Sequence, residues 1–97
     1  MSGNRYVLSP MAREDDPQEE GVQWAAALPQ GPIARLDGMG PLVLDLLESC
    51  DRPLSSVELA DILRAEVEGV PADAAEQIAM FLESLRTTGI VRREADV

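Results

Sequence analysis

Few side chains in this sequence could take part in chemistry. The 97 residues include no histidine and a single cysteine, Cys50. A zinc site needs several histidines or cysteines, and a Ser-His or Cys-His pair needs histidine, so neither is expected. Cys50 is interpreted as a small buried hydrophobe near a helix end. A lone cysteine cannot form an internal disulfide, which is typical of a reducing, cytoplasmic compartment.

Carboxylates are the commonest remaining reactive groups. Three pairs are spaced three residues apart in predicted helices: Asp45 and Glu48, Glu58 and Asp61, and Asp73 and Glu76. This spacing puts each pair on one exposed helix surface, opposite the apolar stripe. The acidic run 14–20 is interrupted by Pro17 and lacks the glycine pattern of a calcium-binding EF-hand loop. We therefore predict that the protein is not an enzyme and that it binds neither a metal ion nor a cofactor.

The loop Gly38-Met39-Gly40 precedes an apolar run and could suggest phosphate binding. A phosphate loop needs free amides at the start of a helix. Pro41 lacks an amide hydrogen, Asp37 adds negative charge, and no Gly-Lys-Ser/Thr sequence follows. The glycines are therefore interpreted as a turn, with Pro41 at the first helical position.

The formal charge of −10 bears on possible partners. An acidic surface repels nucleic acid and anionic membranes and favours basic partners. DNA binding needs clustered cations, whereas the last predicted helix carries three acids and one arginine. No serine follows an aspartate, as a phosphopantetheine carrier would require. No stretch approaches the roughly 20 apolar residues of a membrane span, and no signal peptide is evident.

The hydrophobic pattern predicts the elements that position these residues. A period of two indicates strands at about 5–9, 21–28 and 32–36, with residues 11–20 as a polar connection. A helical period indicates helices at about 41–50, 55–68 and 73–88. Ser55 and Glu58 form a capping box, and Gly89 ends the last helix before a short tail. We predict one domain over residues 1–97, with an α+β fold. A three-stranded antiparallel sheet precedes three helices, as in a winged helix-turn-helix whose sheet comes first.

The last strand of this sheet, 32–36, is expected at an edge. Edge strands carry unpaired N–H and C=O groups. An extended peptide could add there as a fourth strand, above a groove formed with the third helix. The alternative is that Arg35 and a helix simply shield the edge. The residues alone leave both interpretations open.

Four segments together resemble a known family. They are Ala34-Arg-Leu-Asp-Gly-Met-Gly40, Leu42-Val-Leu-Asp-Leu-Leu47, Val57-Glu-Leu-Ala-Asp-Ile-Leu63 and Met80-Phe-Leu-Glu-Ser-Leu-Arg-Thr-Thr-Gly-Ile-Val91. Over roughly Arg5 to Arg92, the chain resembles the PqqD-like family. Members of this family are the small leader-recognition domains (RiPP recognition elements) of ribosomal peptide natural-product pathways.

The resemblance implies a non-catalytic peptide chaperone. A groove between the third strand and the third helix would capture the leader of a precursor peptide and present it to a modifying enzyme or leader peptidase. The implied peptide-binding residues are Ile33, Ala34, Arg35 and Leu36 on the strand and Ala75, Ile78, Ala79, Leu82 and Arg86 on the helix. Arg35 or Arg86 would pair with a leader carboxylate.

The pathway is left open by the resemblance. Short acidic members look like those of lasso-peptide clusters, which work with a leader peptidase. Others look like partners of a radical enzyme in the mycofactocin or pyrroloquinoline-quinone pathways. Two alternative functions also remain: a winged-helix transcriptional regulator, and a module that dimerises through the same strand edge.

Overall fold

The structure, a computed structural model, describes residues 4–29 and 31–94. The fold is α+β with three helices among the described residues, as predicted, and four of the strands precede the first helix. The strands are β1 (Arg5–Leu8), β2 (Met11–Asp15), β3 (Gln23–Ala27), β4 (Ile33–Leu36), β5 (Leu54–Ser55) and β6 (Val91–Arg93). The helices are α1 (Gly40–Cys50), α2 (Ser56–Glu66) and α3 (Ala74–Thr87).

The strands form two antiparallel sheets, so the prediction of a single three-stranded sheet is corrected. One sheet has the order β2-β3-β4 and the other β5-β1-β6. The strand predicted at 5–9 therefore does not join the meander. It pairs instead with β5 and β6, where Val7 lies opposite Arg92 and Leu8 opposite Val91. Arg92 and Arg93 thus belong to a strand rather than to a tail.

The first strand of the meander is β2, within the segment interpreted as a polar connection. Arg13 hides its pattern, because it occupies an inward position where an apolar residue was expected. The Arg13 guanidinium donates to Asp45 of α1 and lies 3.8 Å from Glu48, which neutralises its charge against the helix. Because its charge is paired with acids of α1, Arg13 can occupy an inward position of β2 that an apolar residue would usually fill.

Local capping fixes the helices that flank the site. Ser55 Oγ accepts from the Glu58 amide, and Glu58 Oε1 accepts from the Ser55 amide, which is the predicted capping box. At the end of α3, the Gly89 amide donates to the Arg86 carbonyl and the Ile90 amide to the Leu85 carbonyl. Gly89 has a φ of +83°, the left-handed conformation that this type of helix end requires.

The core lies between the two sheets and the three helices. Its fully buried side chains come from every layer: Leu36, Val43, Leu44, Leu54, Leu59, Ile78, Leu82, Ile90 and Val91. Because Leu36 of β4 and Ile78 of α3 belong to the same cluster, the core holds the edge strand and the last helix near each other.

None of the helices within residues 4–29 and 31–94 is long and apolar enough to cross a membrane.

Candidate functional site

The site begins with β4, which lies at an edge of the sheet β2-β3-β4. Its burial alternates: Ala34 and Leu36 face the interior, whereas Ile33 and Arg35 are exposed. In the described part of the chain, the backbone of β4 pairs with β3 and with no other segment. One side of the strand is therefore open for pairing, as edge strands generally are.

The register identifies which groups of β4 are open. The Asp16 amide donates to the Val22 carbonyl and the Leu28 amide to the Pro10 carbonyl, at the two ends of the β2–β3 ladder. Antiparallel pairs alternate between bonded and non-bonded, so Trp24 and Ala26 bond toward β2 while Ala25 bonds toward β4.

The same alternation continues into β4. Ala25 is opposite Ala34 and Gln23 is opposite Leu36, so Ala34 and Leu36 bond to β3. The amide and carbonyl groups of Ile33 and Arg35 consequently point away from the sheet. These four groups are the pairing edge that a further strand would use.

Helix α3 runs close to both ends of this region. A Cβ added to Gly40 would lie 3.0 Å from Phe81 Cζ and 3.7 Å from Leu36 Cβ. A Cβ added to Gly89 would lie 3.5 Å from Ala27 Cβ of β3. The second half of α3, from Phe81 to its end, therefore extends alongside the inner side of the meander.

A small apolar pocket lies where the end of β4 meets α1 and α3. Its volume is about 150 Å³. It is lined by Asp37, Met39, Gly40, Val43, Gln77, Ile78 and Phe81. An engineered apolar cavity of about 150 Å³ stays dry and binds benzene, so a pocket of this size suits one apolar side chain.

The residues predicted on the strand are brought together as one continuous segment, but they differ in role. Leu36 is 1% exposed and belongs to the core, whereas Ile33 is 72% exposed. Ala34 faces inward, and Arg35 faces outward. The backbone of this segment, rather than its side chains, forms the open edge.

The residues predicted on α3 are split between the core and the flank of the helix that faces away from Phe81. Ile78 lines the pocket, and Leu82 is fully buried. Ala75, Ala79 and Arg86 lie on the other flank; Arg86 is about 140° around the helix from Phe81 at 100° per residue. That flank also carries Glu83, which accepts a hydrogen bond from Tyr6 of β1 at 2.6 Å.

Both arginines considered for a leader carboxylate are already paired. Arg35 donates to Glu19 at 2.7 Å and to Asp37 at 2.6 Å, and the bond to Glu19 is the main cause that raises its pKa. Arg86 Nε donates to Glu83 at 3.1 Å. A peptide carboxylate would have to compete with these acids, so neither arginine is an open anion site.

Six of the pocket residues were not among the predicted site residues: Asp37, Met39, Gly40, Val43, Gln77 and Phe81. In the sequence, Phe81 lies at the margin of the apolar stripe of α3, and this position is the only sign of a role outside the core. Gly40 offers a second clue, because a glycine in the first turn of a helix allows a close neighbour.

The open strand edge and the apolar pocket can bind a peptide, but the pocket offers few groups that could transfer a proton or attack a substrate. Asp37 is the one ionisable side chain in the pocket lining. In the part of the chain that the structure describes, no group of three or more His, Cys, Asp or Glu residues could hold a metal ion.

Comparison with known proteins places this geometry in a family. No curated protein and no solved structure matches the chain. The sequence model of the family described as "Coenzyme PQQ synthesis protein D (PqqD)" matches residues 23–91, well over half of the chain. The matched range starts with β3 and includes β4, all three helices and the start of β6. The resemblance seen in the sequence is thus confirmed, and the chain belongs to the PqqD family.

Proposed function

We propose that this protein binds the leader of a precursor peptide as an added strand on β4 and presents it to a modifying enzyme or leader peptidase. The protein itself catalyses no reaction. The observation that carries this proposal is the open backbone of Ile33 and Arg35 beside an apolar pocket. Membership of the PqqD family supports it, because small domains of this family recognise leaders in peptide natural-product pathways.

The two sides of the added strand would meet different surroundings. Successive side chains of a strand point to opposite faces, so every second leader side chain would face α3. One of these, if apolar, would enter the pocket between Met39 and Phe81. The remaining side chains would stand beside Ile33 and Arg35 on the exposed side of the sheet.

Main-chain pairing, rather than an ion pair, is expected to supply most of the affinity. Arg35 and Arg86 are both occupied by carboxylates of the same chain. The surface as a whole carries an excess of acids, with a formal charge of −10. Basic residues in the leader would therefore strengthen binding and speed its association, whereas acidic ones would weaken it.

The alternative of a DNA-binding regulator is not favoured by the charges. DNA binding draws on arginines that are free to contact phosphates. Six arginines instead form ion pairs within the chain: Arg5, Arg13, Arg35, Arg52, Arg64 and Arg86. Their cationic groups are largely neutralised by neighbouring acids.

The partner enzyme depends on the pathway, which the neighbouring genes identify. A leader peptidase gene beside this one would indicate a lasso-type pathway. A radical-enzyme gene would indicate a pathway of the mycofactocin or pyrroloquinoline-quinone kind. In both cases the role of this protein is the same: it holds the leader in an extended conformation.

An NMR titration with the leader of the neighbouring precursor peptide tests the proposal. Shifts of the amides of Ile33 to Leu36 and of residues around Phe81 are expected, with a scrambled leader of equal composition as control. Absence of shifts at high leader concentration would overturn strand addition. Light scattering of the free protein would separately reveal a dimer formed through the same edge.

A further inference from the structure

The exposed side of the sheet β2-β3-β4 has an unusual composition. We call it the outer face and define it by Ala12, Glu14, Trp24, Ala26, Ile33 and Arg35, whose cross-strand pairs share this side. Ile33 is 72% exposed and Trp24 is 38% exposed. Ala26 pairs with both Ala12 and Ile33, so these side chains and Trp24 form one contiguous apolar patch, and such patches can mark interaction surfaces.

The outer face contains a second cavity, separate from the pocket at α3. It has a volume of about 170 Å³ and is lined by Ala12, Glu14, Trp24, Ala25, Ala26 and Ile33. The small side chains of Ala12 and Ala26 leave space between the larger Trp24 and Ile33. A space of this size suits one aromatic ring, as the benzene-binding cavity of about 150 Å³ shows.

Trp24 is held in place rather than free to fill this space. Its indole Nε1 donates to Asp16 Oδ2 at 2.9 Å. The indole therefore forms one wall of the cavity with a fixed orientation. A wall that is already positioned loses little conformational freedom when a partner binds.

The charges around the cavity point to a cationic partner. Glu14 lines the cavity and is exposed, and within residues 4–29 and 31–94 its carboxylate forms no hydrogen bond or ion pair. Arg35, the cation of the outer face, is already shared between Glu19 and Asp37. The unpaired charge beside the cavity is thus negative, which an arginine or lysine would complement.

A second copy of this chain fits the outer face poorly. Each copy carries a formal charge of −10, and two copies would bring Glu14 and its acidic neighbours together. Like charges facing each other across an interface oppose binding. The occupant is therefore a different protein.

We propose that the outer face docks a partner protein that inserts an aromatic side chain, flanked by an arginine or lysine, between Trp24 and Ile33. The outer face and the α3 pocket lie on opposite sides of the same sheet, so the two surfaces can be occupied together. That the docked protein receives the bound peptide rests on the function proposed above. The docking chemistry itself rests only on the outer face.

Two small probes test this chemistry: phenethylammonium, an aromatic cation, and hydrocinnamate, an aromatic anion of similar size. Trp24 is the only tryptophan, so its indole N–H gives a single NMR signal. Phenethylammonium is expected to shift this signal and the amides of Ala26 and Ile33. Hydrocinnamate is expected to bind about threefold more weakly, because Glu14 repels it.

Substitutions connect the probe effect to the cavity. Glu14→Gln should remove the preference for the cation, and Ile33→Thr should weaken both probes while keeping a β-branched strand residue. Met80→Thr is the matched control, because Met80 is also an exposed hydrophobe, at 68%, but lies on α3. Equal affinity for the two probes, or shifts only around Phe81, would overturn the proposal.

Two further measurements separate this proposal from the others. Glu14 lies on β2, at the opposite edge from β4, so Glu14→Gln should leave leader binding unchanged. Loss of leader binding in this variant would place the leader on the outer face instead of β4, and would reject strand addition to β4 without affecting the probe result. A dimer in light scattering that Ile33→Thr dissociates would assign the outer face to a second copy and overturn the docking proposal.

Discussion

The ring of Phe81 packs against the backbone of Gly40, at the start of α1. A Cβ at Gly40 would lie 3.0 Å from Cζ and 3.2 Å from Cε1 of this ring, well inside the usual carbon–carbon contact of about 3.5–4.0 Å. The glycine thus allows Phe81 to form one wall of the pocket beside β4.

Replacing this glycine is expected to destabilise the fold through Phe81. Gly40→Ala should be about 1 kcal/mol less favourable with the Phe81 ring present than without it, since the ring must move. In a Phe81→Ala background the same change should cost nothing, because the added methyl group then has space. Urea unfolding of the wild type, both single variants and the double variant measures this coupling. Strictly additive effects would contradict the contact.

The two flanks of α3 are predicted to differ in leader binding. Phe81→Ala should weaken binding at least about tenfold, because an apolar wall of the pocket is lost. Arg86→Gln, on the flank favoured by the sequence, should leave affinity unchanged, as should Met80→Ala on the exposed side. Calorimetric titration with the leader compares the three. A large loss of leader affinity with Arg86→Gln and none with Phe81→Ala would show that the leader binds on the flank favoured by the sequence.

Tyr6 provides a test at high pH. Its hydroxyl donates to Glu83 at 2.6 Å, and burial, followed by this bond, raises its pKa from 10.0 to about 12. The folded pKa lies above the unfolded one, so this contribution to stability is complete below pH 10. It is lost as the pH rises from 10 towards 12.

Because Tyr6 is the only tyrosine, phenolate absorbance reports it alone. The midpoint is expected near 12 in the folded protein and near 10 in denaturant. Tyr6→Phe should cost about 1 kcal/mol at neutral pH. A folded midpoint near that of the denatured chain would contradict both the burial of Tyr6 and its bond to Glu83.

Glu58 provides a test at low pH. The Ser55 amide is the main cause of its lowered pKa, and Arg5 adds to it; together with smaller contributions they bring the value from 4.5 to about 2. The folded pKa lies below the unfolded one, so the stabilisation is present above pH 4.5. It is lost as the pH falls towards 2.

Glu58→Gln should therefore be less stable than wild type at neutral pH and nearly equal to it near pH 2. Glu66→Gln, at the exposed end of α2, is the control. Its free energy of unfolding should match that of the wild type both at neutral pH and near pH 2. Thermal unfolding across this pH range measures the difference. A gap between Glu58→Gln and wild type that is the same at every pH would exclude titration of Glu58 as its cause.

The helices could be predicted because their signals are local. Ser55 with Glu58 marks the start of α2, and Gly89 with Ile90 marks the end of α3, each within a few residues of sequence. The edge position of Ile33 to Leu36 could also be predicted, because this segment is the last strand of a meander.

What could not be predicted depends on contacts distant in sequence. The division into two sheets rests on pairs such as Leu8 with Val91, which no local pattern encodes. Strand β2 was hidden because Arg13 is neutralised by Asp45 from another element. The rotation of α3 was ambiguous because Ile78 has apolar neighbours on both flanks, Phe81 on one and Ala79 on the other, and only the contact of Phe81 with Gly40 shows which flank faces the pocket.

The central claim is that a leader pairs with the open backbone of β4, and a proline at Arg35 tests it most directly. Arg35→Pro removes the outward N–H but keeps the bonds of Ala34 and Leu36 to β3, as an edge strand tolerates. Arg35→Ala is the matched control, because it loses the same guanidinium and keeps the N–H. We expect Arg35→Ala to bind the leader within about threefold of wild type. Arg35→Pro should bind at least about tenfold more weakly, because the hydrogen bond is lost and the ring obstructs the approaching strand. Equal leader affinity of the two variants, with both folded by NMR, would contradict strand addition.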